Sequence, residues 1–465
     1  MRKRALLAST AAIATLAALV ACGSGADTPD DEGDAGPITV WTTDTLPDRV
    51  AATEAIIADF TAASGIEVDL VGVPEDQFNQ QLTSAAAAGD LPDVIGSVSL
   101  GAVRTLAAND LVDAEAVAGV IETLGRDTFN DRALEMVSDG DDLLAVPGES
   151  WLQLLYYRTD LFDAAGLSAP ETYEDILAAA QALDSPEVAG FVGATGPGQN
   201  FTEQTFEEIA LANNCQIVDD AGEVVFDSPE CVEALQFYGD LISTYSVPGA
   251  QDVDTVRANY FAGTAAMAIW STFMLDELAG LRDDAMPSCA ECVADPTFLA
   301  ANTGVVPAIQ GPSGEGPAQF AQVTSWTIPV EANAAGAQEF IAFMLGDGYI
   351  DWLAIAPEGK YPVRTGTADN PTEFTDAWAT LPAGVDRTAP LSEFYGPEVL
   401  DALANGLSNM TRWGITQGQG DLIGAVAGEM PIATAVSDVT SGAASPEDAA
   451  ATAAEAIREI QSSLP

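Results

Sequence analysis

Glu149 and Trp151 sit two residues apart just past the Pro147-Gly148 turn, ahead of the β-prone run Leu152-Gln153-Leu154-Leu155-Tyr156-Tyr157. An aromatic face beside a carboxylate can hold a polyhydroxylated ligand, because the ring covers C–H edges while the carboxylate accepts from hydroxyls. The competing reading is a buried strand with a core Trp. Downstream, Asp160 is placed to cap a short helix that Gly166 ends. Residues elsewhere must decide between the two readings.

Whole classes of chemistry are excluded first. The chain has no histidine, which removes Ser-His-Asp and Cys-His catalysis, HExxH zinc chemistry and histidine pH switching together. Asp and Glu total 71 against 15 Lys and Arg, for a net charge of −56. No basic run lies beyond residue 4, so nucleic acid is not a partner. The acids are spread evenly, as on a surface adapted to high salt, where screening tolerates dense like charge. Asp139-Gly140-Asp141 lacks EF-hand spacing and is a plain turn.

The N-terminus reads as an export signal. Arg2, Lys3 and Arg4 precede an apolar stretch from Leu6 to Leu19, and Leu19-Val20-Ala21-Cys22 resembles the lipobox of bacterial lipoproteins. Residues 1–21 are expected to be removed, and Cys22 to be lipidated and held at the outer face of the cell membrane. Residues 22–37 form an acidic, disordered tether. Maturation takes the net charge from −56 to −59 and leaves Lys360 as the one lysine. An even set of further cysteines in an exported chain favours disulfides: Cys215 with Cys231 across a hairpin, and Cys289 with Cys292 as a loop clamp. A four-Cys zinc site would need all four to converge. No metal or cofactor is expected.

The elements that position these residues begin with Ile38-Thr39-Val40-Trp41, a strand, followed by a helix over Arg49 to Ala63. A strand over Ile66 to Val73, a helix over Asp76 to Ala88, a strand over Asp93 to Ser97 and a helix from Gly101 complete the unit. This alternation predicts an α/β fold with a parallel sheet. Ligands of such sheets lie at the carboxyl ends of the strands, which nominates Thr43, Asp44 and Ser97. Over four hundred residues remain after the tether, suiting two lobes.

Several stretches together resemble the extracellular solute-binding proteins of ABC importers, in the carbohydrate-type family that includes maltose-binding protein. They are the lipobox, Leu91-Pro92-Asp93-Val94, Tyr156-Tyr157-Arg158-Thr159-Asp160-Leu161-Phe162, and Tyr260-Phe261-Ala262-Gly263-Thr264-Ala265-Ala266-Met267. Arg158 stands where the family has Asn, and Trp326 follows Thr324-Ser325 where a Gly pair is common. The resemblance implies a two-lobed periplasmic-binding-protein-like fold, each lobe a mainly parallel sheet flanked by helices, joined by hinge crossings. It divides the chain into 38–146 plus 303–346 and 147–302 plus 351–465.

It also implies a cleft in which Trp151, Trp270, Trp326 and Trp413 offer aromatic faces, while Trp41, Trp352 and Trp378 are core. Asp44, Glu149, Tyr361 and Arg364 would supply polar contacts. Tyr156 and Tyr157 point to opposite faces of a strand, so both cannot reach one iron. The implied protein is a monomer, not an enzyme, that closes on a sugar and delivers it to a membrane permease. The rivals are a secreted glycosidase using paired carboxylates, a binding protein for another small solute, and a structural surface lipoprotein.

Overall fold

The computed structural model describes residues 36–464. The export signal, Cys22 and most of the tether lie outside the described residues.

Strand β1 (Ile38–Thr42) pairs in parallel with β2 (Val68–Gly72) on one side and β3 (Val94–Val98) on the other. Helix α1 (Pro47–Ser64) connects β1 to β2 and buries Thr53, Ile56, Ile57 and Phe60, the stripe that its apolar spacing predicts. Pro47 sets its first turn and Gly65, at φ 81°, ends it in the left-handed region. Helix α2 (Glu75–Ala88) leads into β3, and α3 (Leu100–Ala108) follows, capped by the Ser99 hydroxyl.

The spine of the molecule is β4 (Val146–Arg158), thirteen residues long and buried except at Trp151 and Tyr157. Later strands organise along its two halves. These are β5 (Met267–Ser271), β6 (Thr303–Val306), β7 (Gln319–Thr327), β8 (Tyr361–Pro362) and β9 (Met410–Thr411). The first half of β4 pairs antiparallel with β7, which in turn pairs with β3, so this half joins the β1 sheet. The second half pairs antiparallel with β5 and β6 instead. The return expected to begin at Thr303 therefore first forms β6 against the distal half of β4, and only β7 reaches β3.

Two hydrophobic cores follow from this split. One gathers Ile38, Val40, Phe60, Val94, Trp326, Phe340 and Trp352. The other gathers Leu155, Phe162, Phe206, Phe226, Tyr238, Trp413 and Ile457. Strand alternation sends Leu152, Leu154 and Tyr156 to the first and Leu155 and Tyr157 to the second. Helices α4 (Asn200–Ala212) and α5 (Pro229–Tyr245) pack in the second core. Cys215 bonds Cys231 there, between a turn with one Val218–Val224 bridge and the first turn of α5. Cys289 bonds Cys292.

Asp160 does not cap the helix Thr159–Ala165. It lies in the first turn, where its carboxylate takes a two-pronged bond from Arg158 at 2.7 and 2.6 Å.

Candidate functional site

At the carboxyl end of β1 the Thr43 hydroxyl donates to the Ser97 carbonyl, tying the loop after β1 to the carboxyl end of β3. Ser97 sits at φ 54°, an uncommon backbone for a residue with a side chain. The next residue, Asp44, faces two cations: Arg49 on α1 at 3.5 Å and Lys360 at 3.5 Å. Lys360 continues to Glu149 on β4 at 3.2 Å and lies over the Trp352 ring, 3.8 Å from its centroid. The indole N–H of Trp352, on helix α6 (Tyr349–Ala354), donates to the other Glu149 oxygen at 2.7 Å. Glu149 is buried with both oxygens occupied.

Trp151, two residues along β4, is only half-buried. Its ring lies 6.4 Å from Phe273 and 5.6 Å from Phe320. Phe273 lies two residues past β5, and Arg49 stands over it at 5.5 Å. Gly359 passes so close that a Cβ there would run into the Phe273 ring, which brings the Lys360 loop against the segment after β5. Arg412, beside β9, lies 4.4 Å over Phe320. It donates to Glu207 on α4 and to Gln322 on β7, both at 2.8 Å. Gln322 is the register partner of Trp151.

One continuous string thus runs Glu207, Arg412, Phe320, Trp151, Phe273, Arg49, Asp44, Lys360, Glu149. It sets three aromatic rings between two groups of fixed donors and acceptors, contributed by segments far apart in the chain.

Buried acids flank the string. Glu203, one turn before Glu207 on α4, is pushed up to about 8 by burial, with Glu207 adding to the rise and Arg412 opposing it. Glu277 is pushed up to about 7 by burial, against the pull of Arg257, with which it pairs at 2.8 Å. Asp276 and Glu358 are both raised, by burial first; for Asp276 the neighbouring Glu358 charge comes next.

Three residues expected at the cleft lie elsewhere. Trp326 is 1 % exposed, set edge-on to Trp352 at 5.1 Å and against Gly96, where a Cβ would meet its ring. Trp413 is 1 % exposed among Phe206 and Phe226, with its N–H bonded to the Cys215 carbonyl at 2.8 Å. Arg364 points inward: its guanidinium donates to the Thr128 hydroxyl and to the Leu124 and Leu345 carbonyls, closing a helix end. Burial lowers its pKa.

Trp270 is also buried, its N–H on the Val253 carbonyl at 3.0 Å and Arg257 over its ring. Tyr361 rests on Trp378 at 4.7 Å beside the Lys360 loop, and burial pushes its phenol up to about 12. Trp352, expected to be plain core, is buried but forms the floor under Lys360. The residues that sequence reasoning missed are Arg49, Glu203, Glu207, Phe273, Phe320, Gln322, Lys360 and Arg412.

Residues 43–350 match the family of bacterial extracellular solute-binding proteins. The chain belongs to that family. Over 420 residues it is 29 % identical to a putative ABC transporter periplasmic-binding protein, YcjN, of Escherichia coli K12, covering 88 % of this chain and 91 % of the relative. Among solved structures, it superimposes on maltose-bound T. maritima MalE3 with a TM-score of 0.66 at 19 % identity, covering 91 % and 100 % of the two chains. A Thermotoga lettingae ABC transporter solute-binding protein bound to α-D-tagatose gives 0.68 at 20 % identity, covering 91 % and 99 %. The fold is the α/β, two-lobed one of these periplasmic binding proteins. As a member of the family, the chain is an exported binding protein.

Proposed function

We propose that this protein is the substrate-binding component of an ABC importer, which takes a mono- or oligosaccharide between its lobes and passes it to a membrane permease. The observation that carries this reading is the string from Glu207 to Glu149. Sugar rings need flat apolar faces and planar hydrogen-bonding groups side by side. Half-buried Trp151 and Phe273 offer the faces, with fully buried Phe320 backing Trp151. Asp44, Arg49, Lys360 and Arg412 offer the polar groups. Thr43, Ser97 and Tyr361 stand at its edge, while Glu149 acts from behind by holding Lys360. The names of the similar proteins, with maltose and tagatose among their ligands, agree with it. We place the division between lobes within β4, at Leu152–Gln153 and not at the expected Val146–Pro147 junction, because there the strand passes from pairing with β7 to pairing with β5.

The acidic surface is that of a protein working in high salt, as a monomer anchored through Cys22 to the outer face of the membrane. Metabolic labelling with an alkynyl fatty acid tests the anchor: the label is expected on the wild type and absent from Cys22→Ser. A thermal-shift screen of mono- and oligosaccharides in molar salt tests the function. Saturating ligand at a hundredfold its Kd stabilises by about 2.7 kcal/mol, a rise of several degrees. A flat response across the panel would remove the carbohydrate reading.

A further inference from the structure

Two helices that start near opposite ends of the string meet each other. Helix α3 begins three residues after Ser97, and its Leu100, Val103 and Leu106 belong to the first core. Helix α7 (Gly420–Glu429) begins eight residues after Arg412, and its Leu422, Ile423 and Val426 belong to the second core. The extensive packing of α3 on α7 therefore joins the two lobes, far in the chain from their crossing in β4.

Glycine makes that contact. A Cβ on Gly101 would stand 3.6 Å from the Gly424 Cα, and one on Gly424 would stand 3.0 Å from the Gly101 carbonyl and the Thr105 hydroxyl. A Cβ on Gly420 would run into the Arg104 side chain. The Gly101 carbonyl is helix backbone and cannot turn aside, so a side chain at 424 has to push α7 outward. Glycine weakens a helix from within, and at Gly424 the close approach to α3 offsets that loss. Gly428, one turn further along α7, supplies the contrast. It is exposed, and a Cβ there would meet nothing within 4 Å outside its own helix among the described residues.

Charge aligns the pair. Arg104 on α3 is 3 % exposed and donates to the Met136 and Ser138 carbonyls of the first lobe at 2.9 and 2.6 Å. The guanidinium so fixed attracts Asp421 in the first turn of α7, while Asp139 beside it repels Asp421.

We propose that Gly101 and Gly424 are positioning residues for solute capture: backbone contact between α3 and α7 holds the lobes closed over the string, and its strength sets the closed fraction. When the lobes part, the two glycines separate. A solute that needs Asp44 and Arg49 at one end of the string and Arg412 at the other binds the closed form, so its affinity scales with that fraction. The inference goes beyond the saccharide reading and applies to any solute of this site.

The test needs no solute. It uses the chain from Gly23 onward, in which the four remaining native cysteines are paired, with spin labels on introduced cysteines at Thr123 and Glu455. Thr123 is exposed on the helix Ala114–Leu124 of the first lobe, and Glu455 on the helix Pro446–Ser463 of the second. Pulsed electron resonance then reads the lobe-to-lobe distance. The labelled parent is expected to populate the distance of this structure. Gly424→Leu should cut that population by about tenfold or more in favour of longer distances, and Gly428→Leu should leave it unchanged. Gly424→Ala should give a smaller shift in the same direction, and it carries the test if the leucine variant does not fold. Parent-like distances in the Gly424 variants, even with lowered melting temperature, would make the contact merely structural and overturn the inference. So would equal opening in Gly428→Leu, or a parent lacking the closed distance. Each of these results would leave the saccharide reading standing.

Discussion

The Lys360 cluster and the acidic face of α4 place charge below the surface in opposite ways. Around Lys360, Glu149 takes Lys360 and the Trp352 N–H, and Asp44 takes Lys360 and Arg49, while neighbouring Glu358 keeps one oxygen without a partner among the described residues. On α4, Glu207 is answered by Arg412, while one oxygen of Glu203 and one of Glu208 have no protein partner. Burial raises Glu203 and Glu208. In the first arrangement Lys360, Asp44 and Glu149 hold one another within the protein. The second leaves one oxygen of each of two buried carboxyls open to a further partner.

The sharpest way to break this contrast is to remove one charge from each side. Glu149→Ala leaves Lys360 buried beside a bare indole N–H and should lower stability by about 3–5 kcal/mol, read by denaturant unfolding. Glu203→Gln should leave stability unchanged or raise it. Equal losses would show that Glu203 is held as firmly as Glu149.

Next in size is the pH dependence of melting. Glu203 and Glu277 ionise near 4.5 when unfolded but at about 8 and about 7 when folded. A raised carboxyl keeps its proton better in the folded state, so its stability contribution is full below pH 4.5. That contribution is lost as pH rises to about 8. The melting temperature should therefore fall across this window, and Glu203→Gln should flatten part of the slope. A flat or rising profile would mean that these acids are ionised in the folded protein.

Smaller effects separate ligand faces from core faces. Phe273→Ala should weaken saccharide binding by about 1–3 kcal/mol in calorimetry, because it strips one wall from the aromatic string. Trp413→Phe loses one hydrogen bond to the Cys215 carbonyl, about 1 kcal/mol of stability, and should leave affinity untouched.

The first sheet was legible because its elements advertise themselves locally. Ile56, Ile57 and Phe60 repeat at helical spacing, and Leu91-Pro92 punctuates the entry to β3. The site was legible only in part. Asp44 lies just past the carboxyl end of β1, and Trp151, with Glu149 two residues before it, is one of the two residues of β4 that are not buried. Trp326, Trp413 and Arg364 carry the same local signals yet point inward, because what surrounds them comes from distant segments: Gly96, Phe226 and the Leu124 and Leu345 carbonyls. Phe273 and Phe320 stand in short mixed stretches, Ser271-Thr272-Phe273 and Gln319-Phe320-Ala321-Gln322, where periodicity does not distinguish cleft from core. Lys360 and Arg412 meet their partners across 211 and 205 residues, a separation that leaves no pattern in one sequence.

Tryptophan fluorescence of Trp151→Phe tests the central claim most directly, using whichever saccharide the thermal screen selects. Trp326 and Trp413 are buried and packed away from the string, and Trp352 is fully buried beneath Lys360, so half-buried Trp151 should carry most of the ligand-induced change. The account predicts that the change survives in Trp413→Phe and largely disappears in Trp151→Phe. A full response in Trp151→Phe would contradict it and move the solute away from the β4 aromatic face.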